Sequence, residues 1–299
     1  MKSEDFYISE KRRSVWNEEL KIFEAFREIC ERHGLKYFAD SGTLLGAIRH
    51  SGFIPWDDDI DVAMLREDYD RFIEYAKDEL PEEYFLQIPR PGDDYFYGHA
   101  KIRKNDTTAI RYIQYPEKYR HHQGIFLDVF PLDNIPDNKV WYKVHKFFAV
   151  KSMLFLYYSR YYYRLNSHSK ASEIKHKIGR ILIPGDKAAY RFCKLFEWWI
   201  KLPDKRETKK VGYTSMYYYL DNKWSYERNW FENSKEVRFE DTTIAVPGDY
   251  DKVLTGLYGD YAKPVKVPSQ HGDVLFDLEH DYKEYYDGTR TFDYEDCEL

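Results

Sequence analysis

The sequence predicts an α/β fold of the α+β kind, a mixed sheet core flanked by helices, with an added helical region in its second half. Three observations carry this. Ser14 to His33 and Arg66 to Leu80 repeat apolar residues at three- and four-residue spacing, as a helix with one buried face does. Short apolar or alternating runs bounded by Gly, Pro, Asn and Asp lie between and after them and read as strands. From Lys139 the pattern becomes helical, aromatic and basic.

The 299 residues suffice for one large domain or two small ones with a packed core. Charged residues are 33% and hydrophobic ones 43%, the balance of a soluble globular chain. The 29 tyrosines suit sugar or base stacking, or a wet groove, and equally a Tyr-rich core and rim. A net charge of −6 leaves no global basic footprint, so nucleic acid is not an expected partner. Cys30, Cys193 and Cys297 are odd in number and match no metal spacing, which argues for a reducing compartment rather than a disulfide framework. The first residues lack an apolar signal region, and no run of about 18 apolar residues could span a membrane. A cytoplasmic enzyme is the expectation.

In the first helix Trp16, Leu20, Phe23, Phe26 and Cys30 form the buried face, with Ser14 as N-cap and Gly34 ending it in the left-handed conformation. Lys36 to Ala39 is a short strand. Gly42 is expected to turn the chain sharply into a short helix, Thr43 to Ile48, whose N-terminus can hold phosphate or can simply be a capped helix end. Gly46 inside that helix costs roughly 1 kcal/mol relative to Ala, which close backbone packing would explain. Gly52 and Pro55 then force a loop anchored by Trp56.

Asp57-Asp58-Asp59-Ile60-Asp61 leads into the next strand. Residues two apart share a strand face, so Asp59 and Asp61 are expected together, about 7 Å apart, with Ile60 and Val62 in the core. Two such carboxylates repel unless a cation relieves them, and Mg²⁺ or Mn²⁺ prefers oxygen ligands of this kind. A solvated acidic strand end is the alternative. Asp57 shares their parity but follows a loop; Asp58 is expected to face away.

The helix Arg66 to Leu80 buries Tyr69, Phe72, Ile73 and Ala76, and Pro81 ends it. Tyr84 to Ile88 reads as a strand, and Gly98 to Ile110 as another, broken near Lys104-Asn105-Asp106. On the latter His99, Lys101 and Arg103 share a face that could hold phosphate oxygens, or could be a plain exposed edge. His121 and His122 could be ligands and are expected rather to shape a pocket rim. Asp128 interrupts the apolar strand Ile125 to Phe130, where an unpaired acid is costly, and so is the natural third carboxylate. Trp141 to Leu165 and Ile174 to Leu202 read as helices, separated by Asn166 to Ser172 and interrupted at Pro184-Gly185. The first mixes Phe and Tyr with Lys and Arg, which permits peripheral contact with a membrane surface, such as its inner face, or with an anionic polymer, as well as ordinary packing. Val211 to Tyr219 and Phe239 to Val246 are strand-like, Asp249 to Leu257 is a helix, and the tail is polar and Tyr-rich.

Gly42-Thr43, then Asp59-x-Asp61, then a later strand with Asp128, resembles the nucleotidyltransferase superfamily. The longer string SGTLLGAIRHSGFIPWDDDIDV resembles the LicD family closely, as do HHQGIFLDVFPLD and FEDTTIAVPGDYDKVLTGLYGDYAKP. The resemblance implies a nucleotidyltransferase-type catalytic core in residues 1–136, a helical acceptor-side insertion in 137–235, and a C-terminal motif segment, 236–299, packing back on the core. It implies transfer of phosphocholine from CDP-choline to a glycan, lipid-linked glycan or teichoic acid precursor, with Asp59, Asp61 and Asp128 holding Mg²⁺ or Mn²⁺. Ser41, Gly42 and Thr43 would contact the donor phosphates, with Arg49 and His50 nearby, and Asp128 would accept the hydroxyl proton or bridge a second metal. Transfer of ribitol or glycerol phosphate, nucleotidyl transfer to a small molecule, and a non-catalytic glycan-binding module are the alternatives.

Overall fold

A computed structural model describes residues 7–160, 170–205, 208–215, 219, 222–263, 265 and 272–297. The chain opens with α1 (Glu10–His33), whose apolar face, from Val15 to Cys30, lies in the main core. The helix begins four residues before the predicted Ser14. Ser9 is the N-cap, its Oγ accepting from the Arg12 amide at 3.1 Å. The polar first turn carries no apolar periodicity, so the sequence pattern starts late. Gly34 ends the helix with φ 60°.

Five strands of the seven-stranded central sheet follow the order β1-β2-β6-β4-β3. These are β1 (Phe38–Ala39), β2 (Ile60–Leu65), β3 (Tyr84–Gln87), β4 (Ala100–Lys104) and β6 (Phe126–Ile135). β2 and β6 run parallel; the other pairs are antiparallel. A parallel pair needs a crossover, which here includes α3 (Arg66–Glu79). All ten residues of β6 are buried, and its polar members are therefore partnered. Asp133, for example, accepts from Arg66 Nε at 2.6 Å and from Thr214 Oγ1 at 2.8 Å, which ties α3 to the sheet. The far end of β6 also pairs antiparallel with β7 (Lys210–Gly212), which pairs in turn with β8 (Ser225–Glu227).

Between β1 and β2 lies α2 (Ser41–His50), longer at both ends than predicted. The strand predicted across 98–110 is two, β4 and β5 (Thr108–Arg111), broken where the sequence suggested. Because β4 sits between β3 and β6, the exposed-edge reading of Lys101 and Arg103 is corrected: a strand paired on both sides has no free edge. The strand predicted at Phe239 to Val246 is a hairpin of β9 (Ser234–Phe239) and β10 (Thr242–Pro247), because Glu240 turns the chain with φ 55°. α7 (Tyr250–Tyr258) follows. The tail holds β11 (Val274–Asp277), which pairs with β5, and α8 (Tyr282–Asp287), neither of which is predicted.

The helical region comprises α4 (Lys139–Arg160), α5 (Lys170–Leu182) and α6 (Gly185–Ile200). The break at Pro184-Gly185 stands as predicted, while Lys170 to Ser172 are helical rather than connecting. The end of the predicted 141–165 helix and residues 216–218 of the predicted 211–219 strand lie outside the described residues. Among the described residues of that strand only Val211 and Gly212 pair. All three cysteines are buried and free. Among the described residues no helix is long and apolar enough to cross a membrane.

Candidate active site

The parallel pairing of β2 with β6 sets Asp61 opposite Asp128. Asp59 lies just ahead of β2, and carboxylate oxygens of Asp59, Asp61 and Asp128 come within 4.8 Å of one another. Burial, then the neighbouring Asp59 and Asp128 carboxylates, push the Asp61 pKa well above the usual carboxylate range. Burial alone would raise Asp128 as well. The Lys101 ammonium, 2.5 and 2.6 Å from its two oxygens, and His99, 3.4 Å away, overcome that and hold Asp128 ionised below the usual range. The three acids thus outnumber the cation beside them. Three converging hard oxygen donors with uncompensated charge fit Mg²⁺ or Mn²⁺ better than a softer ion.

α2 delivers its N-terminus to the same place. The Asp40 amide donates to Asp61 O at 3.0 Å, and the Asp61 amide donates to Thr43 Oγ1 at 2.8 Å. These bonds lock helix to strand. The sharp turn falls on Ser41, at φ 47°, rather than on Gly42; a non-glycine residue there is strained. Gly42 matters for a different reason. A Cβ at Gly42 would stand 2.4 Å from Asp57 Oδ2, so the missing side chain makes room for that carboxylate. Gly46 likewise admits the Gly52 carbonyl, 2.4 Å from where a Cβ would be.

Asp57, Asp58 and Asp59 also bring carboxylate oxygens within 4.8 Å of one another. Asp58 therefore lines the cleft instead of facing away. The alternation rule fails there because regular strand begins only at Ile60. The loop is pinned from α1, where Arg12 Nη1 and Trp16 Nε1 donate to Asp57 O at 2.8 and 3.1 Å. Behind it Glu19 is fully buried, and burial followed by the Asp59, Asp58 and Asp57 charges raises its pKa strongly.

The acids open into a cleft of about 410 Å³, and Ser41, Gly42 and Arg49 line it. Thr43 is buried and spends its hydroxyl on β2. His50 is brought down to about 4 by burial and by Arg49, so it is neutral near pH 7 and is no counter-ion for phosphate. Arg103 is likewise not aimed at the cleft. It donates to Gln87 Oε1 at 2.8 Å and to Gly124 O at 2.6 Å, and it lies over Phe126. Lys101 faces the acids and is engaged by Asp128. His121 and His122 are not at the rim: His121 Nδ1 is 2.7 Å from Asp94 Oδ1, and His122 takes the Gly124 amide at 2.9 Å.

Residues 34–163, which hold every one of these site residues from Asp40 to Asp128, match the family described as LicD/FKTN/FKRP, nucleotidyltransferase domain. The lipopolysaccharide cholinephosphotransferase LicD of Haemophilus influenzae is 30% identical over 246 residues, covering 82% of this chain and 88% of that protein. The chain belongs to the LicD family. Ribitol 5-phosphate transferase FKRP of Homo sapiens is 45% identical over 40 residues, 13% of this chain and 8% of that protein. An uncharacterized protein of Rickettsia typhi, RT0683, is 39% identical over 115 residues, 33% of this chain and 34% of that protein.

In this LicD-family chain the rest of the cleft wall comes from segments in which no site residue was predicted. Tyr213 follows β7 and Trp224 precedes β8; Tyr258 ends α7, and Tyr261 and Lys263 follow it. The GLYGDYAKP string carried the signal for the last three. Nothing local marks Tyr213, whose hydroxyl offsets part of the burial that raises the Asp40 pKa.

Proposed function

We propose that the protein transfers phosphocholine from CDP-choline to a hydroxyl of a cell-surface glycan or teichoic acid precursor. The observation that carries the reading is the meeting of Asp59, Asp61 and Asp128 at the N-terminal end of α2, inside an aromatic-rimmed cleft. The likeness to the lipopolysaccharide cholinephosphotransferase supports the choline cargo and the glycan acceptor.

The acids suit a divalent cation, Mg²⁺ or Mn²⁺, held by Asp59, Asp61 and Asp128; when bound it neutralises charge on the donor's phosphates. The amides opening α2 at Ser41 and Gly42 offer hydrogen bonds to the same phosphates. Arg49 reaches across the cleft to the Tyr261 carbonyl at 3.1 Å and supplies positive charge on that side. Trp56, Trp224, Tyr258 and Tyr261 provide faces on which a trimethylammonium group can rest.

In the reaction the acceptor oxygen bonds to the phosphorus that carries choline. The bond from that phosphorus to the bridging oxygen breaks, and CMP departs with the electron pair. Asp128, held ionised by Lys101, suits charge anchoring more than proton acceptance. The acceptor's proton must also leave, and whichever of the three carboxylates is least engaged by the cation suits it.

The FKRP likeness favours a second reading, in which the cargo is ribitol phosphate or another CDP-linked alditol phosphate. One incubation with acceptor glycan and CDP-choline labelled in the choline, beside a CDP-ribitol control, tests both. Label on the glycan with free CMP supports the first reading; transfer from CDP-ribitol alone supports the second. CMP retained on the acceptor means nucleotidyl transfer, and no turnover of any donor returns the protein to the class of glycan-binding modules.

A further inference from the structure

The helices α4, α5 and α6 contain ten of the sixteen exposed large apolar side chains among the described residues, so the uncovered apolar surface is concentrated in this one region. On α4, Val140, Val144, Phe147 and Phe148 recur at i, i+4, i+7 and i+8, opposite the face that buries His145, Ala149 and Met153. On α5, Ile174, Ile178, Ile181 and Leu182 repeat the same spacing, and Ile181 is 76% exposed. That helix packs instead through small residues: it buries Ser172 and Gly179, and a Cβ at Gly179 would stand 3.0 Å from Ser159 Cβ. On α6, Leu195 and Trp198 are exposed beside Trp199, whose ring lies 5.1 Å from Phe148. An amphipathic helix ordinarily turns its apolar stripe inward; here one stripe each on α4 and α5, and the pair Leu195 and Trp198 on α6, are left outside.

Charge says what covers them. Residues 139–200 hold thirteen Lys and Arg against three Asp and Glu, a net +10 in a chain whose total is −6. Lys143, Lys151, Lys177, Arg180 and Arg191 are exposed, and among the described residues none is ion-paired. Aromatic and branched apolar side chains interleaved with unpaired cations match a surface that is apolar inside and anionic at its boundary. A second copy of the chain could offer only its own α4–α6 face as a matching apolar surface, and that face carries the same excess of positive charge.

We propose that the α4–α6 region is a docking surface for an anionic lipid bilayer, with the apolar stripes entering the headgroup boundary and the lysines and arginines meeting lipid phosphates. This needs neither donor nor acceptor, so it stands or falls apart from the transferase reading.

Co-sedimentation with vesicles of phosphatidylcholine, with or without phosphatidylglycerol, tests it on the full chain. Two variants are compared, Ile174→Gln/Ile178→Gln/Ile181→Gln and Lys143→Glu/Lys151→Glu/Lys177→Glu. All six positions are exposed, and circular dichroism checks the fold. The wild-type protein is expected to pellet with anionic vesicles, and each variant to bind at least about tenfold more weakly. Wild-type protein left in the supernatant overturns the proposal, and so does equal pelleting of the variants. Self-association that the variants abolish, without vesicle binding, overturns it in favour of a second copy.

Discussion

Asp61 and Asp128 stand opposite each other in parallel register on two adjacent strands, and only Asp128 has a cation against it. A buried carboxylate and a half-buried one held this close repel each other in the folded protein. Asp61→Asn is therefore expected to leave thermal stability unchanged or raise it, while turnover falls by at least about 10²-fold. A loss of stability with turnover intact would mean that Asp61 serves the fold.

Lys101 and Asp128 form a pair that is almost fully enclosed, with side chains 12% and 4% exposed. Breaking a buried pair from one side leaves an uncompensated charge and costs about 3–5 kcal/mol. Lys101→Met should lower the unfolding free energy in urea by that order, and adding Asp128→Asn should restore much of it. Equal stability of Lys101→Met and wild type would show that solvent screens the pair.

The glycines of α2 separate a structural from a functional tolerance. At Gly46 a Cβ meets the Gly52 backbone carbonyl, which cannot swing away, so Gly46→Ala is expected to cost about 1–3 kcal/mol of stability. At Gly42 it meets the end of the Asp57 side chain, which can move. Gly42→Ala should therefore melt near the wild-type temperature yet show a raised KM for the donor, because Asp57 is displaced within the cleft. Melting curves and initial rates of the two variants check the contrast.

Asp94 gives the pH dependence. Burial works against its charge, but the His121 side-chain bond and the Arg120 and His121 amides bring its pKa down to about 2 from 3.8. A depressed carboxylate contributes stability that is fully present above the unfolded pKa and is lost as pH falls through the folded one. The shift corresponds to about 2 kcal/mol at neutral pH. Wild type should exceed Asp94→Asn in urea denaturation at pH 7, with the gap narrowing by pH 3. A gap that widens on acidification would contradict the assignment.

Much of this was legible in the sequence, for identifiable reasons. The spacing of Trp16, Phe23, Phe26 and Cys30 is helical and the packing follows it. An acid inside the apolar run of β6 is costly enough to stand out, which picks Asp128 before any strand order is known. Alternation failed for Asp58 because regular strand has not yet begun there; for Arg103 it held, since Lys101 and Arg103 both lie over Phe126, but Gln87 and the Gly124 carbonyl take up the guanidinium. Tyr213 and Trp224 were out of reach for a related reason. Only the antiparallel pairing of β7 with β6 carries them to the acids, and such long-range pairing leaves no local pattern.

The central claim is that Asp59, Asp61 and Asp128 hold a divalent cation that the CDP-linked donor shares. Mn²⁺ binding followed by electron paramagnetic resonance, with CDP-choline present, tests it on the wild-type protein and on Asp61→Asn. The account predicts that Mn²⁺ is bound by the wild type, that the donor tightens this binding, and that both effects are lost in the variant. Mn²⁺ bound equally by the two proteins, or by neither, would contradict it.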